Sequence, residues 1–286
     1  MRIQYCSDLH LDINPRREFP ELLEPVAPVL ALLGDIGDPE TELYHTFLDW
    51  CCRHWSQVLL VPGNHEFWRM KAGSQKTIES VLEGFRRLEG QYKNLKFCWR
   101  QTLHSEDGVV ILATPLWSRP AEGSVPHPSE QAWIDPDRSF DTETLGRLHE
   151  ADLNWLRREL KNHSTRTVVV LTHYAPSLLL IDRRIIRHPD ETLYASDLDT
   201  LLRAPIVAWA SGHTHSSVQW LRDWEEATGD SGQILIVTNP CGYNQENFYY
   251  RKEAVLRIDP EARQTLGAEE CLAGMSCKIL QSLSQN

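Results

Sequence analysis

The sequence predicts a mixed α/β domain, a system of β-strands covered on both faces and flanked by helices. Two observations carry this. Short runs rich in Val, Ile and Leu recur along the chain, and several are apolar throughout, as strands buried on both faces are. Amphipathic stretches with helical spacing separate the early runs, whereas the late runs follow one another across short turns.

The expected strands are RIQYC (2–6), PVLALLG (28–34), QVLLV (57–61), VVILAT (109–114), TVVVLT (167–172), PIVAWAS (205–211), SVQWL (217–221), QILIVT (233–238) and AVLRID (254–259). A helix is expected at 41–55, where Leu43, Phe47, Leu48, Cys51 and Trp55 share one stripe. A second is expected at 75–89, with Ile78, Val81, Leu82, Phe85 and Leu88. The third, at 142–161, carries Leu145, Leu148, Leu153, Leu156 and Leu160 behind Asp141 as N-cap. A shorter fourth is expected at 192–203. Residues 116–140, rich in Pro, Ser and charge, break the rhythm and are expected to form an irregular, lid-like insertion. The core pattern fades near 260, which sets an expected domain of 1–260 and a surface appendage at 261–286.

A chain of 286 residues buries enough apolar surface to stand without disulfides or structural metal. Its net charge of −11 and the lack of a basic stripe argue against extended nucleic acid and anionic membranes. No apolar run approaches the twenty residues or so that a membrane span needs. The seven cysteines are scattered without a C-x-x-C pair, so a zinc finger or thioredoxin motif is excluded. MRIQYCSDLH opens directly as a strand with no leader pattern, and with free thiols this points to the cytoplasm. Oligomeric state has no signature in the sequence.

The polar clusters all fall at strand ends. Ser7, Asp8 and His10 follow the first strand, and Gly34, Asp35, Gly37 and Asp38 the second. Gly63, Asn64, His65 and Glu66 follow the third, His173 follows TVVVLT, and Gly212, His213 and His215 follow PIVAWAS. In α/β sheets the crevice outside the carboxyl ends of strands is where sites form, so these groups can converge. In an extended chain residues two apart point the same way, which lets Asp8 and His10, or His213 and His215, face one ion. Each piece alone also fits a turn or a satisfied polar corner; five in this arrangement point to metal. Asp8, His10, Asp35, Asn64, His173, His213 and His215 are too many for one tetrahedral ion, but suit two ions sharing a carboxylate. Their nitrogen and oxygen donors favour ions such as Mn, Fe or Zn over Ca or Mg.

SDLH, GDIGD, GNHE, THYAPS and SGHTH, in that order, resemble the calcineurin-like metallophosphoesterase superfamily. The resemblance implies two mixed β-sheets packed face to face and flanked by helices, a four-layer αββα sandwich. It implies Asp8, His10 and His215 on one ion, Asn64, His173 and His213 on the other, and Asp35 bridging both. His65 corresponds to the family's non-ligand catalytic histidine beside the leaving group. Glu66 and Asp38 complete motifs without being family ligands, and are expected to orient ligands, for instance by holding an imidazole N–H. The protein serine/threonine phosphatases carry an arginine before G-N-H-E, where this chain has Val61 and Pro62, so that subfamily is disfavoured. A closer likeness is to small bacterial-type members whose late segment reads N-P-x-G-Y, here Asn239 to Tyr243; they commonly have arginine where this chain has Cys241.

The chemistry expected is hydrolysis of a phosphoester on a small phosphorylated substrate. A bridging hydroxide between the ions makes an in-line attack, and His65 assists the leaving group. The alternatives are a phosphodiesterase acting on a nucleotide or small diester, and a scaffold that kept the fold without catalysis. Trp117, Arg119 and Arg138, in the irregular insertion, are the candidate substrate contacts, with core packing or solvation as the competing reading.

Overall fold

The computed structural model describes residues 1–14, 17–68, 75–124, 141–183, 186 and 189–260. One sheet has five strands in the order β11-β1-β2-β3-β4: Val255–Arg257, Arg2–Cys6, Val29–Leu33, Gln57–Val61 and Leu95–Phe97. Its neighbours pair in parallel except for the β1–β11 edge. The other sheet has six, β5-β6-β7-β8-β10-β9: Gln101–His104, Val110–Ala113, Val168–Leu171, Ile206–Ser211, Ser231–Thr238 and Val218–Glu225. Its four middle strands are parallel, and β5 and β9 close the edges antiparallel.

Alternation along the strands builds the layers. Ile3, Tyr5, Ala31, Leu33, Leu59 and Val61 of the first sheet meet Ile111, Ala113, Val169, Leu171, Ala210, Leu235 and Val237 of the second in one buried cluster. Their alternates, among them Leu30, Leu32, Val58, Leu60, Leu112, Val170, Trp209 and Ile236, face outward into a cluster that includes the helices. The continuous apolar runs therefore have the cause anticipated: both faces of each sheet are covered.

The helices are α1 (Phe19–Leu22), α2 (Glu42–His54), α3 (Ile78–Gln91) and α4 (Thr142–Asn162). Thr41 caps α2, Thr77 and Ser80 form a capping box on α3, and Asp141 accepts the Thr144 amide at the start of α4. Tyr44 is buried on α2, and Leu43 lies on its half-exposed side.

The helix expected at 192–203 does not form. Short 3-10 turns occupy Asp190–Leu193 and Asp199–Leu201, while Ala195 bridges Ala175 and the Leu198 amide bonds to the Pro176 carbonyl. The leucine spacing buries Leu193, Leu198 and Leu202 through those turns instead. Strands β4 and β5 were not anticipated, because three and four residues are too few to show a period. Of the insertion at 116–140, residues 125–140 lie outside the described residues, as does the appendage at 261–286. Among the described residues no helix is long and apolar enough to cross a membrane.

Candidate metal centre

The polar groups converge where the carboxyl ends of β1, β2 and β3 meet those of β7 and β8, so both sheets contribute. Backbone hydrogen bonds stitch the loops. The Asp8 amide donates to the Gly34 carbonyl, the His10 amide to the Asp35 carbonyl, and the Cys241 and Gly242 amides to the carbonyls of Ser7 and Asp8. Chain is packed so closely here that a Cβ on Gly63 would lie 2.2 Å from Oδ1 of Asp35.

The expected extended chain at 8–10 is not what aligns the side chains. Asp8 (φ 54°), His10 (φ 46°), Asp35 (φ 55°), His213 (φ 66°) and His215 (φ 51°) are all left-handed. Left-handed residues turn the chain back on itself while leaving side chains two apart on one side. This conformation costs about 1 kcal/mol or more per residue, and Asp, Asn and His tolerate it better than most.

Two sets of atoms face each other. In the first, Nε2 of His10 lies 3.1 Å from Nε2 of His215, which lies 3.3 Å from Oδ1 of Asp8. In the second, Nε2 of His173 lies 3.0 Å from Oδ1 of Asn64, 3.2 Å from Nδ1 of His213 and 3.4 Å from Oδ1 of Asp35. Donors about 2.0–2.1 Å from a shared ion stand about 2.9–3.4 Å apart, so both sets have the spacing of ligand shells. Asp8 also falls within 4.8 Å of Asp35, His173 and His213, which joins the sets. Oδ1 of Asp8 is fully buried and faces Nε2 of His215 at 3.3 Å, a carboxylate oxygen with lone pairs left over for a cation. The residues fit two divalent ions.

The surroundings fix these groups. Nδ1 of His173 donates to the Leu33 carbonyl at 2.7 Å, and the Asp8 Oδ2 accepts the His213 amide at 3.0 Å. Glu66 accepts three backbone amides, those of Asp35, Ile36 and Gly63, at 2.7–3.0 Å. It thus clasps the β2 and β3 loops rather than holding an imidazole. Burial pushes its carboxyl up to about 7, with Asp35 adding to the effect. Asp38 accepts from Lys76 at 2.7 Å, and Lys76 also donates to the Trp68 carbonyl at 2.9 Å.

Proton affinities in the cluster divide sharply. Burial opposes protonation of His173, yet Asp35 lifts it to about 9. Burial likewise opposes protonation of His215, but hydrogen bonds to Asp8 and Glu246 lift it to about 10. Burial lowers His10 to about 4, and His65 and His213 to about 3. Asp8 is desolvated by burial yet held at about 2, chiefly by His215, and Asp35 is held well below the usual carboxylate range by His173 and His65. Two protons on His173 and His215 therefore balance two carboxylates, where divalent ions would otherwise stand.

His65 is buried beside His10 and Asp35. Its backbone amide donates to Oδ1 of Asp35 at 2.8 Å, and its Nε2 lies 3.8 Å from Oδ2 of the same carboxylate. Two residues that sequence reasoning gave no role also belong here. Glu246 accepts from Nδ1 of His215, and the hydroxyl of Tyr243 lies 2.8 Å from Nε2 of His65. Tyr243 ends the Asn-Pro-Cys-Gly-Tyr stretch, which was a signal; Glu246 had none.

Trp117 is 1% exposed, packed between Phe67, Trp99 and Tyr174 with centroids 5.5–6.0 Å away. Arg119 pairs with Glu150 on α4 at 2.5 Å. Arg138 lies outside the described residues.

Residues 1–217 match the family model described as calcineurin-like phosphoesterase. The uncharacterized protein L509 of Acanthamoeba polyphaga mimivirus is 24% identical, over 91% of this chain and 98% of its own. The crystal structure of phosphopantetheinyl hydrolase (PptH) from Mycobacterium tuberculosis superposes with a TM-score of 0.66 at 18% identity, over 91% of this chain and 97% of that one. The crystal structure of TT1561 from Thermus thermophilus gives 0.49 at 14% identity, over 92% and 96%. With two buried Asp/His clusters at the strand ends and a family match covering most of its length, this chain belongs to the calcineurin-like phosphoesterases.

Proposed function

We propose that the chain hydrolyses a phosphoester of a small substrate with two divalent ions. Asp8, His10 and His215 would hold one ion and Asn64, His173 and His213 the other, with Asp35 between them. The observation that carries this reading is the pair of buried donor sets, with spacings of 3.1–4.0 Å in the first and 3.0–3.4 Å from His173 to its neighbours in the second. When bound, two such ions supply a nucleophile from water at neutral pH and neutralise charge on the phosphoryl oxygens during in-line displacement. His65, neutral because of its burial, is placed to stabilise the departing oxygen by a hydrogen bond from Nε2–H, without giving the proton up. Glu66 and Asp38 hold the loops that carry Asp35 and His65. Nitrogen and oxygen donors without thiolate support Mn, Fe or Zn as the metal.

A net charge of −11 supports a small substrate over extended nucleic acid, since only the ions make the site positive. The described cysteines are all free, which supports a reducing compartment such as the cytoplasm. The test is hydrolysis of p-nitrophenyl phosphate and bis-p-nitrophenyl phosphate, side by side, by Mn-reconstituted protein. Monoester preference supports a phosphatase. Diester preference would move the assignment to a phosphodiesterase, and silence on both with metal bound would point to a non-catalytic scaffold or to a substrate too particular for a surrogate.

A further inference from the structure

Residues 242–246, beyond β10, reach both sides of the cluster. The segment is firmly held. The Gly242 amide bonds to the Asp8 carbonyl at 3.0 Å, and Asn14 takes both the Gly242 carbonyl (2.9 Å) and the Asn244 amide (2.6 Å). Positive φ at Gly242 (77°) and Asn244 (47°) turns the chain tightly, so that Tyr243 points inward. Its ring lies 4.4 Å from that of His10 and 4.7 Å from that of His215, and its hydroxyl meets Nε2 of His65.

The imidazole of His65 needs such a partner. Trp68 covers one face with ring centroids 3.4 Å apart, and His10 approaches at 4.3 Å. Stacking fixes the plane of a ring, but a half-turn about the Cβ–Cγ bond leaves that plane unchanged and swaps nitrogen for carbon at the site. Nδ1 is buried with no hydrogen-bond partner, so nothing on that side chooses between the two orientations. The Tyr243 hydroxyl does choose.

We infer that Tyr243 is a positioning residue for hydrolysis: in the resting site its hydroxyl accepts the Nε2–H of His65 and keeps that nitrogen facing Asp35, until the departing oxygen takes the hydrogen bond over. This rests on the reading of His65 as the leaving-group histidine. Tyr243 need not touch the substrate. Its effect passes through one imidazole, and it should matter most where the leaving group most needs help.

The experiment is a double-mutant cycle on Mn-loaded protein, Tyr243→Phe in the wild-type and His65→Ala backgrounds, with p-nitrophenyl and phenyl phosphate as substrates. The Phe variant keeps the ring against His10 and His215. Losing one orienting hydrogen bond should lower kcat about tenfold, more for phenyl phosphate, with KM and Mn content unchanged. In the His65→Ala background it should lower kcat no further. Independently of turnover, 15N spectra of the metal-free protein should show one His65 ring state in the wild type and two in Tyr243→Phe. Equal losses in both backgrounds would overturn the inference, since Tyr243 would then act on substrate directly. So would loss of Mn from Tyr243→Phe, unchanged kcat, or identical His65 spectra. Full activity in His65→Ala alone would instead remove the reading of His65 on which this stands.

Discussion

Nδ1 of His173 donates to the carbonyl oxygen of Leu33 across 2.7 Å, which leaves its Nε2 as the nitrogen that faces Asn64, His213 and Asp35. Leu33 is the last residue of β2 and His173 follows β7, so this bond runs from one sheet to the other. The second donor set is therefore built by the packing of the sandwich itself. A ring oriented by its far nitrogen is the usual device for presenting an imidazole to a metal.

Removing the carboxylate proposed to be shared and the histidine proposed to face the leaving group should separate metal binding from chemistry. Asp35→Ala should lower bound Mn below two equivalents and abolish turnover. His65→Ala should keep both equivalents and lower kcat by about 10²–10⁴-fold. Metal analysis beside steady-state kinetics checks both, and an Asp35→Ala protein that retains two tight ions would contradict the proposed bridge.

Close packing predicts a contrast between two glycines. Gly63→Ala would drive its Cβ into Asp35, whereas a Cβ on Gly90 meets nothing within 4 Å. Gly63→Ala should lower the melting temperature and lose metal. Gly90→Ala, in the last turn of α3, should keep metal and gain up to about 0.5–1 kcal/mol. Thermal melts with metal analysis read the difference.

Metal affinity should rise with pH. His173 at about 9 and His215 at about 10 carry protons at neutral pH in the metal-free protein. An ion needs the lone pairs those protons occupy, so each must leave on binding. Raising pH from 7 toward 9 removes that competition, and the apparent Kd should fall throughout the interval. Calorimetry in buffers of different ionisation enthalpy should count close to two protons released at pH 7. A count near zero would mean that both rings are already neutral.

Glu246→Gln should act on one ion only. It removes the carboxylate behind His215 and leaves the set around His173 untouched. Metal titration should resolve one site weakened by about 10–100-fold and one unchanged.

The parts of this site that follow from local chain chemistry could be read from the sequence, and the parts that depend on long-range approach could not. QVLLV followed by Gly-Asn-His-Glu announces a buried strand ending in donors, and β3 does end at Val61, just before them. Asn64, His65 and Glu66 all proved buried there. What Glu66 holds was hidden, because its three amides belong partly to another loop, about thirty residues away. Glu246 was invisible for the same reason, since its partner lies 31 residues earlier across a strand connection. Leu193, Leu198 and Leu202 misled, because leucine spacing alone does not distinguish a helix from successive tight turns that bury the same side chains.

The left-handed backbone at Asp8, His10, Asp35, His213 and His215 constrains how this chain can vary. On the proposed ligand assignment each position must satisfy coordination chemistry and a torsion angle together, and the short list of residues that do both is nearly the list found there. Asn meets the torsional demand while giving up charge or imidazole basicity. Asparagine at Asp8 or Asp35 should thus preserve the shape of the loops while silencing their electrostatics. Such variants would be metal-poor replicas of the fold, suited to separating what the loops contribute to stability from the chemistry that the ions would supply.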